Sequence, residues 1–119
     1  MPRVNVRNAG NCYRETATMI IEAMPDDAML VHGYPRLTGG KHRGRKFGHA
    51  WVEREVDGIM WCYDHQRDEP IIAVLYYAIG QIDASETKRY TRRQAIRNTL
   101  RTKRYGPWGK QPKDALFAG

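Results

Sequence analysis

Apolar positions in the first 34 residues follow a helical pattern and then a strand pattern. Residues 12 to about 23 predict an amphipathic helix, because apolar side chains recur at the spacing of one helix face and Pro25 ends the run. The apolar members of this face are Tyr13, Ala17, Ile20, Ile21 and Met24. Residues 28 to 34 then favour a strand, so this region predicts a helix that packs on a sheet.

An alternating pattern next predicts a β-hairpin around Asp57-Gly58, a strong signal for a two-residue turn. In the first strand one face carries His49, Trp51 and Glu53, and the other carries Ala50 and Val52. In the second strand one face carries Met60, Cys62 and Asp64, and the other carries Ile59, Trp61 and Tyr63. Symmetric pairing about the turn places residues near 51 opposite those near 64. Asp64 is therefore expected one diagonal step from His49.

Two segments beside this hairpin keep more than one interpretation. Residues 35 to 47 predict a glycine-rich loop, which is either an exposed flexible connection or a mobile lid or recognition surface for an acidic substrate. Its basic side chains are Arg36, Lys41, His42, Arg43, Arg45 and Lys46. Residues 71 to 79 are apolar and fit a strand or a buried helix equally well. Tyr76 and Tyr77 in that segment would cover the site or fill the core.

Charge separates the last part of the chain from the rest. Residues 1–87 hold 10 Lys and Arg against 12 Asp and Glu, or −2, whereas residues 88–119 hold 10 against 1, or +9. Thr91 and Gln94 form a capping box that predicts a basic helix over residues 91–105, which Gly106 ends. Ile96, Leu100 and Lys103 are predicted to form its inner stripe. Its outward face is predicted to be a solvated surface or a site for nucleic acid or an acidic protein, formed by Arg92, Arg93, Arg97, Arg101 and Arg104.

Length and composition indicate one domain and a reducing compartment. The chain has 119 residues and 41% hydrophobic content, which fits a single domain over residues 1–109 and a flexible tail over residues 110–119. No run approaches the roughly 18 apolar residues that span a bilayer, and the first residues lack the apolar stretch of a secretory signal. We therefore expect a cytoplasmic protein with no membrane partner. Two cysteines do not make a disulfide framework there.

Three residues have side chains suited to cysteine-nucleophile chemistry. Only a thiolate attacks a carbonyl, and a free thiol with a pKa of about 8.5 is mostly protonated at neutral pH. A helix N-terminus and an imidazolium stabilise the anion and lower a cysteine pKa to roughly 3.5–7.5, and Cys12 and His49 are placed to form such a pair. Asp64 would bond to the second ring nitrogen and fix the tautomer.

Other roles for these residues stay open. Both cysteines also suit small buried positions, or a mutual disulfide in an exported protein, and Cys62 is predicted to be structural because it lies in the middle of a strand. Zinc is a weaker alternative, because Cys12, His49, Asp64 and His65 lack helical or knuckle spacing. No metal or other cofactor is therefore predicted.

The order of these motifs resembles the catalytic core of the transglutaminase-like cysteine proteins, within the wider papain-like group. The resemblance covers roughly residues 8 to 65 and rests on Cys12 at a helix start, the run His49-Ala50-Trp51-Val52-Glu53, and Trp61 with Asp64. It implies that Cys12 is the nucleophile, His49 the base and Asp64 its orienter. An oxyanion hole would combine the backbone N–H of Cys12 with a side chain from Asn8 or Asn11, and Trp51 would form a wall of the pocket.

These patterns predict an α+β domain in which an N-terminal helix carrying the cysteine packs on a small antiparallel sheet, followed by a basic C-terminal helix. We expect a cysteine-dependent hydrolase or acyltransferase that acts on an amide or thioester through an acyl-enzyme at Cys12. Its substrate would be a peptide, a protein or a small amide. The alternative is a non-enzymatic binding protein that uses the basic helix, and the small size and charge would suit a viral accessory protein.

Overall fold

The computed structural model describes residues 11–116 and shows a five-stranded antiparallel sheet with helices on both faces, which confirms the predicted α+β class. Its elements in chain order are α1 (Cys12–Glu22), β1 (Met29–Gly33), β2 (His49–Val56), β3 (Ile59–Tyr63), β4 (Ile71–Ile72), α2 (Ala73–Gly80), a 3₁₀ turn (Ala84–Glu86), β5 (Lys88–Tyr90) and α3 (Arg92–Thr102). The strands lie side by side in the order β4-β3-β2-β1-β5. None of the helices within residues 11–116 is long and apolar enough to cross a membrane.

The hairpin of β2 and β3 has the predicted register. Val56 pairs with Ile59 and Val52 pairs with Tyr63, so the ladder is symmetric about the turn. Asp57 and Gly58 both have positive φ, at 53° and 82°, as a two-residue turn that matches strand twist requires. This register confirms that His49 and Asp64 belong to the same face of the sheet.

The two faces of the sheet have separate cores. On one face, α1, α3 and Trp108 cover a cluster that includes Leu30, Ala50 and Val52. On the opposite face, α2 covers a cluster of Val31, Trp51, Cys62 and Tyr76. Alternation along β1 and β2 produces this division, because successive side chains point to opposite sides.

Helix α3 begins as predicted but packs through a different face. The Thr91 and Gln94 capping box is present, and the helix ends at Thr102, earlier than the predicted Tyr105, because Lys103 adopts a left-handed conformation with φ of 63°. The predicted stripe was wrong, since Ile96 and Leu100 are 37% and 67% exposed while Ala95 is buried in the core. A small side chain at this point lets the helix lie close to α1 and β1.

The two segments that kept more than one interpretation connect strands of the sheet. Residues 35–47 form the connection from β1 to β2, with an isolated bridge between Arg36 and Lys46. Residues 71–80 form a short strand and then a helix, which explains why both periods fitted the segment. In the predicted flexible tail, Leu116 donates to the Lys46 carbonyl at 2.7 Å and accepts from the Gly48 N–H at 3.0 Å. Leu116 therefore lies beside the segment that leads into His49. The flexibility of residues 110–119 stays a prediction.

Candidate active site

The thiol of Cys12 lies at the N-terminus of α1. Cys12 is the first residue of the helix, follows Asn11 at the N-cap and has no exposed surface. The partial positive charge of a helix N-terminus favours a negative charge at this position. The Cys12 side chain interacts with the His49 ring, and this interaction contributes to the raised pKa of His49.

His49 connects the thiol to a carboxylate. It is the first residue of β2 and is 6% exposed. Its Nε2 lies 2.9 Å from Asp64 Oδ2, which leaves Nδ1 as the nitrogen available to Cys12. Burial opposes the charged ring, but the hydrogen bonds to Asp64 and Cys12 outweigh it and raise the pKa of His49 to about 9. The imidazole is therefore protonated at neutral pH and faces a sulfur atom.

Asp64 is held as an anion by several donors. It follows β3 directly, is 8% exposed, and accepts hydrogen bonds from the Tyr76 hydroxyl at 2.6 Å and the Gln66 N–H at 3.0 Å in addition to the His49 contact. Burial alone would raise the pKa of this carboxyl, but the bonds from His49, Tyr76 and Gln66 lower it below its ordinary value. Asp64 can thus fix the orientation of the imidazole and balance its charge.

A cleft of about 530 Å³ opens beside His49 and Asp64. Its other lining residues come from the segment after β1, the turn after Asp64, and α2 with the residues that follow it. They include Arg36, Leu37, Phe47, Arg67, Tyr76, Ile79 and Ile82. Cys12 is fully buried and does not line this cleft.

Trp51 differs from its predicted role as a pocket wall. It is fully buried, with its ring centroid 6.1 Å from that of His49, and it is not among the cleft residues. Its Nε1 donates to the Glu53 carboxylate at 2.9 Å, which fixes the indole beneath the sheet face. Trp51 therefore belongs to the buried core beside His49, and the aromatic residues that line the cleft are Phe47 and Tyr76.

The predicted oxyanion-hole side chains are only partly described. Asn8 lies outside residues 11–116, so its prediction rests on the sequence. Asn11 is half-buried at the N-cap of α1 and makes no side-chain capping hydrogen bond there. The Asn11 side-chain amide therefore does not cap the helix, and Asn11 directly precedes Cys12 in the sequence.

Cys62 has the surroundings of a structural cysteine. Both Cys12 and Cys62 are free thiols, which argues against the mutual disulfide. Cys62 is buried, and its Sγ lies 3.8 Å from Glu53 Oε2. Burial together with this carboxylate raises the pKa of the Cys62 thiol. Within the described part of the chain, no group of three or more His, Cys, Asp and Glu side chains is arranged to hold a metal ion.

The predicted basic surface loses one member in the structure. Arg92 points toward α1, where it donates to the carbonyls of Ile20 and Met24 and pairs with Asp26. The Ile20 carbonyl belongs to the last turn of α1 and the Met24 carbonyl follows the helix, so Arg92 lies at the C-terminal end of α1, which attracts a cation. The other four predicted arginines, Arg93, Arg97, Arg101 and Arg104, are exposed.

Sequence reasoning did not identify two features of this sheet face. One is the Tyr76 hydroxyl on Asp64, and the other is a buried cluster of Glu53 with Trp51, Tyr77 and Arg89. A usable signal was present, because Glu53 falls on the same strand face as His49 and Trp51, and a carboxylate buried there needs partners. Buried tyrosine hydroxyls likewise need partners, and two occur side by side in an apolar segment.

Comparisons of the chain with protein-family models, curated proteins and solved structures gave no match. The resemblance to transglutaminase-like proteins therefore stays a prediction that depends on the motif residues alone.

Proposed function

We propose that this protein is a cysteine-dependent hydrolase or acyltransferase that forms an acyl-enzyme at Cys12. One observation carries the proposal: the buried His49 ring hydrogen-bonds to the Asp64 carboxylate, and the same ring interacts with the Cys12 side chain. Nucleophile, base and orienting carboxylate are the three parts that such chemistry needs. A reduced thiol also suits the cytoplasm, which we keep as the proposed location.

The reaction would proceed in two halves, acylation of Cys12 and release of the acyl group, and His49 would transfer the proton in both. The Cys12 thiolate attacks the carbonyl carbon, a sulfur–carbon bond forms, and the carbonyl electron pair moves to oxygen. As the tetrahedral intermediate collapses, the carbon–nitrogen bond breaks and His49 gives its proton to the leaving amine. With a thioester the carbon–sulfur bond breaks instead, and His49 gives the same proton to the leaving sulfur.

Release of the acyl group reverses these roles. His49 takes a proton from an attacking water or amine, the new bond forms at the carbonyl carbon, and the Cys12 sulfur leaves as a thiolate. Water gives a carboxylic acid and an amine gives a new amide. Because Cys12 has no exposed surface, the proposal requires a local movement that brings its sulfur to the cleft.

The test is the rate of alkylation by iodoacetamide between pH 5 and pH 9, resolved by peptide mass to Cys12 and Cys62. We expect Cys12 to be labelled rapidly below pH 7, because an imidazolium keeps its thiolate available. Cys62 is an internal control in the same chain, since it is equally buried but lies beside the Glu53 carboxylate, which raises the pKa of its thiol. The variant His49→Ala should remove the fast labelling of Cys12.

Equal and slow labelling of the two cysteines in the native protein would refute the proposal. Fast labelling that survives in His49→Ala would also refute it, because the thiol would then be reactive without the imidazole. Circular dichroism of each variant shows whether the fold is kept.

A specific observation also supports a second candidate function, binding of a polyanion by α3. Four arginines lie exposed on this helix and the residues after it, and none of them forms an ion pair with a carboxylate within residues 11–116. Unpaired arginines on a strongly basic segment attract phosphate groups.

Retention on a duplex DNA of random sequence, measured against salt, tests this candidate. The logarithm of affinity should fall with the logarithm of salt concentration, and Arg97→Gln with Arg101→Gln should reduce that slope by about 2. Arg14→Gln removes an exposed arginine from α1 and serves as the matched control. Binding that is unaffected by the α3 variants would exclude this surface, and binding that survives Cys12→Ala would separate it from the enzyme proposal.

A further inference from the structure

The cleft beside His49 has an uneven lining of charge. Arg36 and Arg67 both line it, whereas its one carboxylate, Asp64, is already paired with His49. Neither arginine forms an ion pair with a carboxylate in the described part of the chain. The cleft therefore has two uncompensated positive charges close to the reacting groups.

Backbone hydrogen bonds fix both arginines relative to the site. The Arg36 N–H donates to the Gly80 carbonyl at 2.9 Å, and the Arg36 guanidinium donates to the Gly44 carbonyl at 2.7 Å. The Arg67 N–H donates to the Asp64 carbonyl at 2.9 Å. Arg67 is thus attached to the turn that follows the orienting carboxylate, and Arg36 to the end of α2.

The rest of the cleft is largely apolar. Leu37 and Phe47 come from the segment between β1 and β2, and Ile79 and Ile82 come from the end of α2 and the residues after it. Ile79 is 49% exposed although it is a large aliphatic residue. An apolar group that occupies the cleft would cover this surface.

A second groove, of about 450 Å³, shares Asp64 and Arg67 with the cleft but is more acidic. Its carboxylates are Glu15, Glu22, Asp68 and Glu69 in addition to Asp64, so Arg67 is outnumbered there. Arg36 lines the cleft and does not line this groove. An acidic ligand is therefore attracted more strongly to the cleft than to the groove.

We propose that the cleft binds a peptide substrate that carries a carboxylate side chain next to an apolar residue, beside the acyl group that reacts with Cys12. This inference rests on the proposed function. Arg36 and Arg67 bind the carboxylate through charge-assisted hydrogen bonds, and Leu37, Phe47 and Ile79 contact the apolar side chain.

Two thiol-reactive peptides of equal size test this inference. The probes are acetyl-Phe-Glu and acetyl-Phe-Gln acyloxymethyl ketones, which differ only in the charge of one side chain. At low salt we expect the Glu probe to label Cys12 about tenfold faster than the Gln probe, and we expect the ratio to fall as salt is added. The ratio of the two rates is measured within each variant, so a change in the reactivity of the thiol cancels.

Variants then assign the preference to the cleft. Arg36→Gln with Arg67→Gln should bring the ratio close to one. Arg43→Gln removes an arginine from the same loop that does not line the cleft, and it should keep the wild-type ratio.

Equal rates for the two probes in the wild type would overturn this inference, provided that iodoacetamide still labels Cys12 rapidly below pH 7. A preference for Glu that survives in the double variant would overturn it as well. If neither iodoacetamide nor the probes label Cys12, the proposed function fails and this inference fails with it.

Discussion

Two buried carboxylates on the same sheet face have nearly the same set of partners. Asp64 accepts a hydrogen bond from the Tyr76 hydroxyl, and its partner His49 interacts with Cys12. Glu53 accepts a hydrogen bond from the Tyr77 hydroxyl and lies beside Cys62. The two tyrosines are consecutive residues of α2. Each carboxylate also has a cationic partner, which is His49 for Asp64 and Arg89 for Glu53.

The difference between the two clusters lies in the cation and in the access to solvent. Arg89 keeps its charge at every pH at which the protein is folded, whereas His49 can give up and regain a proton. Asp64 borders the cleft, while Glu53 does not line it and is 2% exposed. The same kinds of side chain therefore stabilise the fold in one cluster and make proton transfer possible in the other.

The largest effect is expected from Glu53→Ala, which should cost about 3 kcal/mol of unfolding free energy because it leaves the Trp51 Nε1–H and the Tyr77 hydroxyl without their acceptor. Urea denaturation measures this loss. Glu53→Gln keeps the shape and part of the hydrogen bonding, so it should cost less. A loss below about 1 kcal/mol for Glu53→Ala would show that this cluster does not stabilise the fold.

Next in size is the effect of Asp64→Asn on the thiol. Without a carboxylate to hold the tautomer and balance the imidazolium, the labelling rate of Cys12 at pH 6 should fall by about a hundredfold. Glu53→Gln is the matched control, because it neutralises the other buried carboxylate on the same face. Similar labelling rates in the two variants would remove the distinction between the clusters.

The paired variants Tyr76→Phe and Tyr77→Phe give a smaller effect. Each removes one hydrogen bond to a carboxylate and should cost about 1.5–3 kcal/mol in urea denaturation. Only Tyr76→Phe should also move the acid limb of the Cys12 labelling profile to higher pH, because Asp64 then gains a proton more readily. An identical shift in Tyr77→Phe would contradict this assignment.

The smallest effect is a pH dependence of stability, measured in a Cys12→Ala background so that no proton of this thiol enters the balance. In the native protein Asp64 and Cys12 together raise the folded-state pKa of His49 above its unfolded value of about 6.5, and in this background only the interactions with Asp64 oppose the effect of burial. The contribution of the His49–Asp64 pair is complete below pH 6.5 and is lost as the pH rises through the folded pKa. We expect a loss of at most about 1 kcal/mol between pH 7 and pH 8.

Two further variants in this background identify the group responsible. His49→Gln should abolish the slope, and Arg89→Lys should leave it unchanged because the cation of the Glu53 cluster does not titrate in this range. A slope that persists without His49 would assign the proton to another residue.

Local sequence was sufficient for the part of the site on the hairpin. The Asp57-Gly58 turn fixes the register, the register fixes the faces, and His49 and Asp64 then meet across the sheet. The helix that begins at Cys12 was also predictable from its apolar face. These features depend on neighbours within about fifteen residues along the chain.

Features that depend on distant packing were not predictable in the same way. Which of Tyr76 and Tyr77 reaches Asp64 depends on how α2 lies on the sheet, and a short apolar segment does not encode this. In α3 the hydrophobic Ile96 and Leu100 appeared to be the inner residues, but the close approach of the helix selects the smaller Ala95. Hydrophobicity alone does not report the distance between two backbones.

The complete burial of Cys12 has a consequence for reaction rates. If the sulfur reacts only after the local structure opens, modification has two steps, namely opening of the protein and then reaction with the reagent. At low reagent concentration the observed rate rises in proportion to the reagent, and at high concentration it levels off at the rate of opening. The plateau rate is the rate constant for opening of the protein, so it is the same for every reagent regardless of the reagent's intrinsic reactivity.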